Sequence, residues 1–150
     1  MISLKKKQSG FTIVELLIVI VVIGILAAIV ITTFTGVQKK GRDADRKSDI
    51  NSMYGQIEVY FAENGKYPTL TDMNSSAFRT GSMKGLSDDA LTDPNGGGAT
   101  LVGAPAANSY AYEVTPAGCD NGAGGDCLGF TLTATLESST TAFAKNGSNN

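Results

Sequence analysis

One carboxylate stands where carboxylates are rare. Residues 10 to 19 read GFTIVELLIV, and Glu15 lies inside an otherwise apolar run just after three lysines, Lys5, Lys6 and Lys7. A carboxylate in a membrane-spanning stretch costs about 2.5–3.5 kcal/mol on insertion scales, so Glu15 calls for a partner or a task. On position alone, the competing reading is an interfacial side chain that reaches out to the cytoplasmic face. Two further sets of residues could do chemistry. Cys119 and Cys127 have seven residues between them and can form a disulfide or remain two thiols. Asp120, Asn121 and Asp126 lie between them in a Gly-rich loop and offer oxygen ligands of the kind calcium takes. No EF-hand spacing accompanies them, and Asp-Asn-Gly is ordinary turn chemistry, so no metal or cofactor is expected and the three stay calcium candidates only. The chain has no His, no Ser-His-Asp set, no Cys-His pair and no carboxylate pair across a recognisable cleft. It is not expected to be an enzyme. The Gly-rich run Asn95–Gly98 lacks the Lys-Ser/Thr ending of a phosphate loop and reads as a turn.

The elements that must position these groups begin with the apolar run. From Leu16 to Ile31 no side chain is charged or polar, and the stretch Phe11 to Phe34 covers 24 residues. About 20 apolar residues span a bilayer as a helix. No A-x-A site follows, so a secretory signal fits poorly and an anchor fits better. The remainder is polar and rich in Gly and Thr, which excludes a multi-span protein. Net charge is −2 over 150 residues, and the first ten residues carry three of the 12 cationic side chains against 14 acidic ones overall. That balance is not a nucleic-acid profile. Lys5–Lys7 hold the N-terminus inside and send the rest out. An exported domain favours a Cys119–Cys127 disulfide; two reduced thiols would mark a cytosolic one.

The stretch KKKQSG/FTIVELLIVIVVIGILAAIV resembles the N-terminus of type IV pilins and pseudopilins. Members carry a short basic leader ending in Gly, an aromatic residue, a Glu five positions into the mature chain and a long apolar helix with an internal Gly. Here these are Lys5–Lys7, Gly10, Phe11, Glu15 and Gly24. The resemblance implies cleavage by a prepilin peptidase between Gly10 and Phe11 and N-methylation of the new Phe11 amine. It also implies that Glu15, one helical turn on, meets that amine in its own chain or in a neighbour and sets the register of packed helices. The implied partners are further copies of the chain in a helical homopolymer, the peptidase/N-methyltransferase and a pilus assembly platform. The precursor would sit in the cytoplasmic membrane, head outside, before joining an extracellular fibre. No direct nucleic-acid partner is implied for the single subunit. Residues 1–10 would then be the leader, 11–35 the transmembrane and filament-core helix, and 36–150 the head with the amphipathic half of the helix. One departure is the position where many pilins place a Pro; here it is Thr32-Thr33.

Beyond Gly36 charges of both signs are dense, then Ile50, Met53, Tyr54, Ile57 and Phe61 form an apolar stripe at spacings of three and four. That stripe is expected to pack on a sheet face. Asn64-Gly65 is a helix stop, with Pro68 shortly after. An unbroken helix from Phe11 to Asn64 would be roughly 80 Å long. Lys39, Lys40, Arg42, Arg46 and Lys47 could bind nucleic acid or lipid headgroups; the interspersed Asp43, Asp45 and Asp49 favour a solvated, self-paired face.

ENGKYPT, residues 63 to 69, looks like the helix-to-loop junction of the same family. A long connection, about 69 to 107, follows, with a short helix expected near Ser87–Leu91. Ser109–Thr115 and Gly129–Glu137 alternate strictly, so each is expected to be a strand with one buried and one wet side. A third strand is expected through Thr141–Lys145. The expected fold is α+β, a long N-terminal helix packed on an antiparallel sheet of three to four strands. The head layout, Asp93-Pro94, then Tyr110-x-Tyr112, then Phe130-x-Leu132-x-Ala134, resembles small-headed pilins and the major pseudopilin of type II secretion, whose sheet loops bind calcium. The leading expectation is a structural subunit of a type IV pilus serving adhesion, motility or DNA uptake. A pseudopilin of type II secretion is the variant, and a monomeric membrane-anchored binding module the reading from another class.

Overall fold

The computed structural model describes residues 10–149; Lys5–Lys7 lie outside the described residues. The architecture is α+β, as the pattern predicts. Helix α1 spans Ile13–Asn64, and the three strands β1 (Tyr110–Thr115), β2 (Gly129–Ala134) and β3 (Phe143–Asn146) form one antiparallel sheet in the order β1-β2-β3. The described residues fall into two compact units that divide between Gln38 and Lys39.

In the first unit every described residue is exposed, from the apolar Phe11 through Val37. The helix passes through Gly24 and Gly36 without interruption. Its few polar side chains look after themselves: Thr32 and Thr33 donate to the Ile29 carbonyl, and Thr35 to that of Thr32. A hydroxyl bonded this way adds little unpaired polarity to the exposed apolar surface.

The second unit holds the core. Ile50, Met53 and Ile57 are fully buried in one cluster with Tyr110, Tyr112, Phe130 and Leu132, while Tyr54 and Phe61 flank it half-buried. Alternate residues of a strand share a face, which is why Tyr110-x-Tyr112 and Phe130-x-Leu132 converge there. The chain leaves α1 at Gly65, whose φ of +71° suits only glycine cheaply; its N–H donates to the Phe61 carbonyl at 2.7 Å and closes the last turn.

Three details depart from expectation. The long connection contains two more helices, α2 (Leu70–Asn74) and α3 (Ser76–Ser82), before the 3-10 turn Asp88–Leu91. Their starts are written locally: Thr69 and Asp72 form a reciprocal cap on α2, and the Ser75 hydroxyl caps α3. β2 stops at Ala134, short of Glu137. The second sheet face is also less wet than strict alternation implies, since Ala111 and Thr133 are buried; Val102 lies alongside Ala111 in a parallel bridge and covers that edge.

Candidate functional site

The chain enters α1 through a reciprocal cap. A helix start leaves its first N–H groups without partners. Here the Thr12 hydroxyl accepts from the Glu15 backbone N–H at 3.2 Å. Glu15 Oε2 in turn accepts from the Thr12 backbone N–H at 2.8 Å and from its hydroxyl at 2.7 Å. Thr-Ile-Val-Glu is therefore a Thr-x-x-Glu capping box. This was readable in the sequence and supplies a partner for Glu15 that the apolar context alone did not suggest. Both bonds use Oε2; among the described residues Oε1 accepts no hydrogen bond. Gly10 and Phe11 precede the cap outside the helix, and Phe11 is 88% exposed. The bond between them thus lies in exposed chain outside the helix.

The second unit contains a charge cluster that the sequence reading placed on a solvated face. Arg46 is 1% exposed and Asp43 3%. Arg46 grips Asp93 with two parallel bonds, Nε to Oδ2 at 2.7 Å and Nη2 to Oδ1 at 2.9 Å, and its Nη1 reaches Asp43 Oδ1 and Glu137 Oε1, each at 2.8 Å. Arg42 forks onto Glu137 at 2.7 and 2.6 Å, and Asn95 also donates to it. Asp43 accepts the backbone N–H groups of Glu137 and Ser138, and the Ser138 hydroxyl. Three segments distant in sequence are joined this way: α1, the turn Asp93–Gly96 after the 3-10 turn, and the chain after β2. Burial pushes the Asp43 carboxyl up, but the Ser138 hydroxyl, the two backbone donors and Arg46 together hold it well below the usual carboxylate range. Arg42, then Arg46, holds Glu137 down at about 2. The positions 43, 46, 50, 53 and 57 are the buried residues of α1 and run in steps of three and four. Extending the apolar stripe backwards at its own spacing would have found the two charged members.

The other candidates separate. Cys119 and Cys127 are joined in a disulfide, with Cα atoms 5.3 Å apart. Asp120 Oδ1 accepts the N–H groups of Gly122 and Gly124, at 2.8 Å each, which lowers its pKa. Asn121 donates to the Tyr67 carbonyl and accepts from the Cys127 N–H. Lys66 Nζ lies 3.1 Å from Asp126 Oδ1 and 3.3 Å from the Asn121 carbonyl. Lys66 thus pairs with one carboxylate oxygen of the loop, in a partly exposed ion pair. Among the described residues no three His, Cys, Asp or Glu side chains gather as a metal set.

Comparison with known proteins singles out the same end of the chain. Residues 5–31 match the family model described as the prokaryotic N-terminal methylation motif. The chain is 38% identical over 65 residues to type II secretion system core protein G of Aeromonas hydrophila, covering 43% of this chain and 46% of that one. It is 38% identical over 63 residues to the same protein of Escherichia coli K12, covering 42% and 43%. It is 36% identical over 61 residues to the type IV major pilin protein PilA of Myxococcus xanthus, covering 41% and 28%. The chain thus spans about half or less of the curated relatives it matches. No solved structure matches.

Proposed function

We propose that this chain is a structural subunit of the pilin and pseudopilin class, held in the cytoplasmic membrane by residues 11–35 and polymerised through that helix into a fibre. In this reading residues 1–10 are a leader cut after Gly10, Phe11 carries the methylated amine and 36–150 is the exposed head. The observation that carries the proposal is the methylation motif over residues 5–31, set on a helix start whose preceding bond is accessible and whose side chains are exposed throughout the apolar run. An α-helix satisfies its own backbone, so such a surface suits either lipid or copies of itself.

Glu15 has two tasks here. Oε2 caps α1 in the uncut chain, and Oε1 is available to the amine that cleavage creates on Phe11. Pairing with that amine, in its own chain or a neighbour's, offsets the desolvation of both charges and fixes the axial offset of packed helices. Glu15→Leu is expected to insert in the membrane normally and to assemble poorly. Normal fibres from that variant would overturn the register role.

The first test is intact mass with N-terminal fragmentation of protein from its native cells. A chain starting at Phe11 with one added methyl supports the proposal, and one starting at Met1 or Ile2 refutes it. Within the class, a surface pilus serving adhesion, motility or DNA uptake and a type II secretion pseudopilus are both open to this chain. The two core protein G relatives favour the second. Loss of a secreted protein on deletion, with surface fibres unchanged, would decide for the pseudopilus. The proposed partners are copies of itself, the prepilin peptidase/N-methyltransferase and an assembly platform.

A further inference from the structure

Charge along the start of the second unit is sorted by contact. Arg42 and Arg46 are taken up by Glu137, Asp93 and Asp43. Lys47 lies over the Phe143 ring at 5.9 Å. Lys39 and Lys40 differ from all of these. Both are exposed, and neither joins an ion pair among the described residues. Asp45 is the one carboxylate of residues 39–47 outside the ion pairs, so the charge left to outside partners there is positive. The pair follows Phe34 by under two turns of the same helix.

We infer that Lys39 and Lys40 bind the phosphates of acidic phospholipid headgroups, in the leaflet opposite to the one Lys5–Lys7 face. The inference rests on the reading of residues 11–35 as a membrane-spanning helix. Headgroup layers extend roughly 5–7 Å beyond the hydrocarbon on each side, and a lysine stem can lie along apolar surface while its ammonium sits among phosphates. Placed there, the two lysines fix how deep the helix sits before the subunit is drawn into a fibre. The choice of lysine also fits the occupant. The planar forks suited to carboxylate or base recognition, Arg42 and Arg46, already hold internal carboxylates, and what remains is a pair of mobile point charges suited to mobile phosphates. The contact would be strongest with the subunit alone in the membrane and would be given up when the subunit is drawn into a fibre.

The test uses the full chain purified in detergent with equal phosphatidylglycerol and phosphatidylcholine, with retained lipids counted by native mass spectrometry. The wild type is expected to keep phosphatidylglycerol in preference. Lys39→Gln/Lys40→Gln is expected to lower the phosphatidylglycerol-to-phosphatidylcholine ratio by roughly fivefold or more, from the strength of a lysine near an acidic surface. Lys84→Gln, an exposed lysine elsewhere in the second unit, should leave the ratio unchanged. Lys5–Lys7 are present throughout and cancel in the comparison. An unchanged ratio in the double variant overturns the inference, as does a variant that changes only cross-linking between copies, which would assign the lysines to a neighbour's carboxylates. Carbonate extraction of membranes is run alongside. A chain released by carbonate refutes the membrane-spanning reading itself, whereas a chain that stays in the membrane without lipid preference refutes the headgroup site alone.

Discussion

Arg46→Met is the substitution that most directly probes how the second unit holds to its helix. Methionine keeps much of the buried volume and removes the guanidinium. Arg46 makes four bonds to three carboxylates, two of which, Asp93 and Asp43, are 2% and 4% exposed at their side chains. Removing one member of a buried ion cluster costs about 3–5 kcal/mol, here chiefly because Asp93 loses its only cation among the described residues without regaining water. A domain of this size has about 5–15 kcal/mol of stability in all, so the loss is a large share of it. Urea unfolding of the full chain in detergent, followed by near-UV circular dichroism of its five tyrosines, reads the change. Pairing Arg46→Met with Asp93→Leu should recover part of the loss, since the double variant removes one of the stranded charges. A loss under about 1 kcal/mol, the size of a surface ion pair, would refute the buried-clamp reasoning.

Acid acts on the same cluster. Glu137 has a folded pKa of about 2, below its unfolded value, so its contribution is complete above pH 4.5 and is lost as pH falls toward 2. Asp43 shifts in the same direction. Thermal unfolding midpoints should therefore hold from pH 7 to about 5 and drop steeply below 4.5, and Arg46→Met should flatten that drop. Gly147→Ala would place a Cβ 2.8 Å from the Phe130 ring and 3.1 Å from the Tyr67 hydroxyl, so about 1–3 kcal/mol of destabilisation is expected in the same urea assay. Reducing the Cys119–Cys127 disulfide, which closes a loop over a separation of 8, should cost about 2.5 kcal/mol by chain entropy and be visible as a lower urea midpoint.

Much of this protein is written locally. The apolar run fixes a long exposed helix, which satisfies its own backbone hydrogen bonds within one segment whatever surrounds its side chains. The 3-4 stripe marks the buried face of α1, Gly65 its end, and the alternation of Tyr110–Val114 and Phe130–Leu132 the strands and the face they bury. Thr12–Glu15 and Thr69–Asp72 show that even the helix starts were legible, in capping boxes of four residues each. Tertiary structure decided the fate of the charges. The stripe of α1, run backwards, puts Asp43 and Arg46 on its buried face, but nothing in the local pattern says that Asp93 and Glu137 will be the groups that meet them there. The burial of Arg46 depends on partners 47 and 91 residues away, brought to it by the turn Asp93–Gly96 and the chain after β2. The same holds for Lys66, which meets Asp126 across a sequence separation of 60. Local pattern sets which element forms; only the packed chain sets which polar groups meet, because desolvation and pairing are properties of the assembled environment and not of the residues alone.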